Sequence, residues 1–154
     1  MKFSAQLYSL RNFIKTESDI DETFGKIKAM GYDNVQFSGV DFNAESLKKT
    51  IDKYDLPVNL THIPAQRLLE DTDKVIEEHK TIGCDYIGLG AMPNAFPFTG
   101  GLKEVDEFIA DFEKVAKKIS DAGLKFSYHH HDFEFRKLEN GMTIFDYIAE
   151  RAEH

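Results

Sequence analysis

Three times along this 154-residue chain a helical pattern ends in glycine and a short apolar run follows at once: Met30-Gly31-Tyr32, Ile82-Gly83-Cys84 and Ala122-Gly123-Leu124. Glycine supplies the left-handed exit from a helix, and an apolar run without alternation is a strand buried on both faces. This phrase constrains the fold more than any other feature, because it predicts βα units joined by right-handed crossovers into a parallel sheet. The predicted strands are Phe3–Tyr8, Asn34–Ser38, Pro57–Ile63, Tyr86–Gly90 and Leu124–His131. Helical periodicity runs over Ile20–Met30, Ala44–Tyr54, Leu68–Ile82 and Val105–Ala122, with a further helix at Ile144–Glu150 and a loop rich in Pro, Gly and Phe at Met92–Gly101. The chain, 1–154, reads as a single α/β domain. Five units fit either a complete doubly wound sheet or part of a (β/α)8 barrel, which takes roughly 250 residues. Periodicity alone leaves both open.

Polar and ionisable residues gather at the C-terminal ends of these strands: Gln6 and Tyr8, Gln36 and Ser38, His62, and then His129 to Glu134. Active sites of parallel α/β folds sit at that edge. The densest stretch is Tyr128-His129-His130-His131-Asp132-Phe133-Glu134-Phe135. Extended geometry sends His129 and His131 to one face and His130 to the other. Two neutral imidazoles with a carboxylate nearby form a ligand set for a divalent metal. The plainer alternative is a strand end with solvated or hydrogen-bonded histidines. The run is internal and short, with strand on one side and patterned sequence on the other, which argues against an affinity tag.

Composition narrows the function classes. Net charge is -8 with no basic run, which opposes a phosphate-backbone partner and predicts no nucleic acid. No apolar stretch approaches the ~20 residues that span a bilayer, so no membrane partner is expected. The N-terminal residues begin directly as a strand pattern rather than a signal peptide, and the single Cys84 has no internal partner, so the expected location is cytoplasmic. Thirteen Phe and six Tyr without Trp predict aromatic packing and an aromatic-lined pocket.

The sequence resembles the sugar phosphate isomerase/epimerase family, the xylose isomerase-like TIM barrels. The matching pieces are Gln6-Leu7-Tyr8-Ser9-Leu10-Arg11, Gly31-Tyr32-Asp33-Asn34-Val35-Gln36, Thr61-His62-Ile63-Pro64 and the run from Tyr128 to Phe135. The resemblance covers essentially the whole chain but about the first five of eight βα units, so the chain is read as the N-terminal part of such a barrel, apparently truncated. It implies a cup at the strand ends where a divalent metal (Mn, Co, Mg or Zn) polarises the carbonyl of a sugar or polyol while carboxylates move a proton between adjacent carbons. Carried onto this chain, Glu134, His129 and His131 are the expected metal ligands, and Glu134 and His62 the expected catalytic groups. Tyr8, Gln6, Gln36, His62 and His131 are the expected substrate contacts. The remaining ligands and the second carboxylate belong to strands six to eight, so this chain alone is expected to lack turnover. An incomplete barrel is also expected to open an apolar inner layer to water and to associate as a homo-oligomer.

Several other readings compete. The spacing of Gly123, His129, His131, Glu134 and Gly141 approaches a cupin signature, but the His-to-Glu gap is short and helical patterns stand where a cupin has strands. A DNA-repair endonuclease of the AP type would use similar ligands but is opposed by the charge. A non-catalytic sugar-binding or assembly module needs no further strands. An inosose dehydratase-like lyase would share the same parts.

Overall fold

The computed structural model describes residues 2–153. Five strands lie parallel in the order β1-β2-β3-β4-β5: Ser4–Gln6, Asn34–Phe37, Val58–Ile63, Tyr86–Leu89 and Lys125–Tyr128. A doubly wound sheet would reverse its strand order at a switch point. This sheet does not, so the barrel reading holds and the doubly wound one falls. The connecting helices are α1 (Glu17–Ala29), α2 (Ala44–Tyr54), α3 (Ala65–Glu70), α4 (Thr72–Ile82), α5 (Leu102–Asp121) and α6 (Ile144–Arg151). The glycines of the repeated phrase take the left-handed conformation, with φ of 88° at Gly31, 70° at Gly83 and 81° at Gly123.

Register decides which residues share a face. Ala5, Val35 and Val58 stand side by side, as do Phe37, Thr61, Ile87 and Phe126, and then Ile63, Leu89 and Tyr128. These rows pack against the helices: Val35 and Phe37 with Ile20, Phe24, Leu47 and Ile51, and Ile87 and Leu89 with Val75, Phe112 and Ile119. The opposite, inner face carries Ser4 beside Asn34, Gln6 beside Gln36 and Leu60, and His62 beside Gly88 and Ser127. The apolar inner layer expected from a broken barrel is therefore absent among the described residues. Alternation puts amides, hydroxyls and an imidazole where a finished barrel core would hold branched aliphatics. One exposed apolar surface lies beside β1, where Phe3, Phe13 and Met30 are 57%, 66% and 73% exposed.

Element ends moved where a side chain competes for the backbone. The first strand stops at Gln6, because its Oε1 accepts the Tyr8 N–H at 2.8 Å and caps a 3-10 helix over Leu7–Phe13. Tyr8 thus sits on a turn, not on the strand. The helix expected over Leu68–Ile82 is two helices broken at Asp71, whose φ of -143° and ψ of 44° are not helical. Short polar side chains such as those of Asp71 and Thr72 favour such breaks. Helix α5 begins at Leu102, three residues early, because the Glu104 carboxylate accepts the Gly101 N–H at 2.8 Å.

Gly88 answers a packing demand in mid-strand. A Cβ there would lie 2.2 Å from the Thr61 carbonyl oxygen and 2.9 Å from His62 Cδ2. Backbone cannot yield cheaply, so Gly88→Ala is expected to push β4 from β3 and displace His62. The check is a crystal structure or NMR contact map of the variant, in which the His62–Gln36 hydrogen bond should be gone.

Candidate functional site

Strand β5 ends at Tyr128, so the histidine run is a loop rather than the end of the strand. The His129 N–H still donates to the Leu89 carbonyl at 2.9 Å, which carries the ladder one residue further. Beyond it the chain turns into a short 3-10 helix over Phe133–Phe135. The expected division of the three rings holds nevertheless. His129 and His131 line a cavity, whereas His130 points away and packs edge-on against Phe135 and Phe145 at 5.5 and 5.1 Å between ring centroids.

That cavity, of about 520 Å³, opens at the C-terminal edge of the sheet and is lined by Gln6, Tyr8, His62, Phe96, His129 and His131, among others. Five of the residues expected from sequence therefore meet in one place, delivered by β1, β3 and β5 and the turns that follow them. Gln36 does not line it but reaches it indirectly, since its Nε2 donates to His62 Nε2 at 2.8 Å. Gln6 has a structural duty as well: its Oε1 accepts from the Ser38 hydroxyl at 2.7 Å in addition to the Tyr8 amide. Tyr8 is 54% exposed, with the Arg11 guanidinium 4.5 Å from its ring centre.

The three cavity imidazoles crowd together. The rings of His62 and His129 are 4.8 Å apart and those of His129 and His131 5.0 Å. Burial above all, then the neighbouring His129 and His131, pulls the His62 pKa down to about 4. His129 is lowered too, by burial and then by His131 and His130. With Gln36 donating to Nε2, the proton of neutral His62 resides on Nδ1.

Glu134 departs from expectation. It is fully buried and absent from the cavity wall. The Tyr128 hydroxyl donates to its Oε1, and the His131 N–H donates to its Oε2 at 2.7 Å. The proposed ligand set also fails a geometric test: among the described residues no three His, Cys, Asp or Glu side chains converge on a possible ion. The cavity wall offers imidazole nitrogens with amide and hydroxyl oxygens but no carboxylate, the ligand that magnesium and manganese favour. The residues present do not by themselves hold a divalent metal.

Four residues that shape the site or the fold around it have no role in the sequence reading. Ser38, 1% exposed, was noticed only as a polar strand end, and its bond to Gln6 needs the folded register. Gly88 was legible in principle, since a lone glycine inside a strand marks a close approach. Phe96, 66% exposed, sets its edge against His131 at 4.9 Å from a loop without periodicity. His79 on α4 is fully buried away from the cavity, with Nδ1 2.6 Å from the Val75 carbonyl and Nε2 2.7 Å from Thr61 Oγ1.

No protein-family model matches the chain, and no curated protein sequence does. Solved structures do. An AP endonuclease of family 2 from Brucella melitensis superposes with a TM-score of 0.72 at 15% identity over 99% of this chain. A xylose isomerase-like TIM barrel protein from Mycobacterium smegmatis, in complex with magnesium, gives 0.66 at 11% identity over 98%. An L-ribulose 3-epimerase gives 0.61 at 17% identity over 82%. The chain spans 65%, 62% and 48% of those three proteins respectively. No helix among the described residues is long and apolar enough to cross a membrane. Parallel order, helix placement and these superpositions together give this chain the fold of the xylose isomerase-like TIM barrels, over five of the βα units.

Proposed function

We propose that this chain builds the sugar-binding wall of an isomerase/epimerase-like site. The observation that supports this most is the convergence of Gln6, Tyr8, His62, His129 and His131, from three separate strand ends, on one cavity. Its lining mixes amide, phenol and imidazole groups with the apolar surfaces of Phe96, Ile63 and Pro64. A sugar or polyol has the same duality, with hydroxyls at its rim and C–H groups on its faces. The likeness in fold to an L-ribulose 3-epimerase, and to a barrel in complex with magnesium, supports reading the site as one for epimerisation or isomerisation in which a divalent metal takes part.

The residue roles follow from protonation. His62, a poor base at neutral pH with its Nε2 engaged, serves as an Nδ1–H donor to a sugar oxygen rather than as a proton acceptor. His129 and His131 stand at the cavity wall beside it, placed to exchange a proton at a carbon beside a carbonyl. Glu134, bonded on both oxygens, takes no such part. That engagement favours a second reading, sugar binding without turnover.

Calorimetry with a ketose is the test. Saturable binding is expected, weakened about tenfold by His62→Ala, the worth of one good hydrogen bond. In heavy water with Mn²⁺ present, this chain alone should leave the carbon-bound hydrogens of the ketose unexchanged. A ketose that does not bind, or binds equally to the variant, rejects the assignment.

A further inference from the structure

Glu134 is the one carboxylate in the fully buried set among the described residues. A charge is costly to bury unless hydrogen bonds meet it. Here two donors do, and they come from functionally connected places. Tyr128 is the last residue of β5, and its hydroxyl reaches one carboxylate oxygen. His131 lies three residues further on, and its backbone N–H reaches the other at 2.7 Å. The carboxylate therefore ties the strand end to the turn and closes the His129-His130-His131 segment into a fixed loop. The His131 ring is then held with Phe96 against it at 4.9 Å, Phe133 parallel to it at 6.1 Å, and His129 at 5.0 Å.

We infer that Glu134 is a positioning residue: it fixes His129 and His131 at the cavity wall through the His131 amide and touches no substrate. What is needed from residue 134 is two hydrogen-bonding atoms at a given reach, and the negative charge is secondary. The consequence for ligand binding rests on the sugar-site reading above, but the positioning role does not.

Three variants separate this role from one in which the charge acts directly. Glu134→Gln keeps the reach: its Oε1 accepts the His131 N–H and its Nε2 donates to the Tyr128 oxygen. Glu134→Asp keeps the charge but is one methylene too short to meet both donors. Glu134→Ala removes both contacts. Hydrogen exchange of the His131 amide and the ring resonances of His129 and His131 are read without any sugar, with His79 as the reference for an intact fold. Glu134→Gln is expected to match the parent protein, whereas Glu134→Asp and Glu134→Ala lose protection at His131 and move both rings while His79 stays in place. The reverse order, Asp close to the parent and Gln impaired, would overturn the inference by showing that the charge is what matters. Unchanged His131 protection in Glu134→Asp would overturn it as well, and that comparison stands even if Glu134→Ala fails to fold. Ketose binding, measured afterwards, should follow the same order. A parent protein that ignores ketose rejects the sugar reading, while the order of the exchange data still decides the role of Glu134.

Discussion

Between neutral pH and about pH 4 the fold is expected to lose about 3 kcal/mol through His79 alone. Burial is the main reason this imidazole resists protonation down to about 4, and the Arg67 charge adds to it, while the hydrogen bond with the Val75 carbonyl opposes both. In the unfolded chain the same group takes up a proton near 6.5. Below that pH the unfolded state binds a proton that the folded state refuses. Stability from this source is therefore fully present above about 6.5, falls as the pH drops towards 4, and levels off below. His62 and His129 are shifted in the same direction and steepen the decline. Urea unfolding at neutral pH and near pH 4 measures the total, and His79→Leu isolates one share of it. That variant starts less stable, since the Thr61 hydroxyl loses its partner, but its loss on acidification should be smaller by about 3 kcal/mol. Equal acid losses in both proteins would mean that His79 is protonated in the folded chain.

Tyr128→Phe is expected to cost about 1.5–3 kcal/mol, the usual worth of a hydrogen bond to a charged partner. Its hydroxyl is one of the two donors that meet the buried Glu134 carboxylate, and burial followed by that carboxylate pushes its pKa upward, so it remains a donor at any ordinary pH. Removing it leaves Oε1 without a donor in a place water does not reach. The cost should shrink once Glu134 is itself replaced by an apolar residue of similar size, since nothing is then left unpaired. Chemical denaturation of the single and double variants gives the coupling. Strictly additive losses would mean that Tyr128 contributes packing and nothing more.

How far the fold was legible depends on the scale of the signal. The glycine-terminated helix recurs in three of the βα units, and a signal repeated over tens of residues survives local exceptions such as Asp55 after Ala44–Tyr54. Parallel order followed from it. Strand ends did not, because each is set by one side chain capturing one amide: Gln6 at β1 and Glu134 after β5. The inner face was misjudged for a related reason. Read in isolation, Asn34–Phe37 and Val58–Ile63 are apolar enough to pass for strands buried on both faces, and only their register shows that Gln36 and His62 share one side. Within the site, His62, His129 and His131 were legible as imidazoles at strand ends. The engagement of Glu134 was not, because nothing in the residues from Tyr128 to Glu134 announces that the carboxylate folds back on its own loop.

The account stands on the claim that one cavity at the strand ends takes a sugar or polyol. Its most direct test is a ketose titration followed by the side-chain resonances of the histidines. His62, His129 and His131 should shift together along one saturable curve, while His79, buried on α4 and outside the cavity, stays still. Shifts that never saturate, or that move His79 as much as the other three, would contradict it.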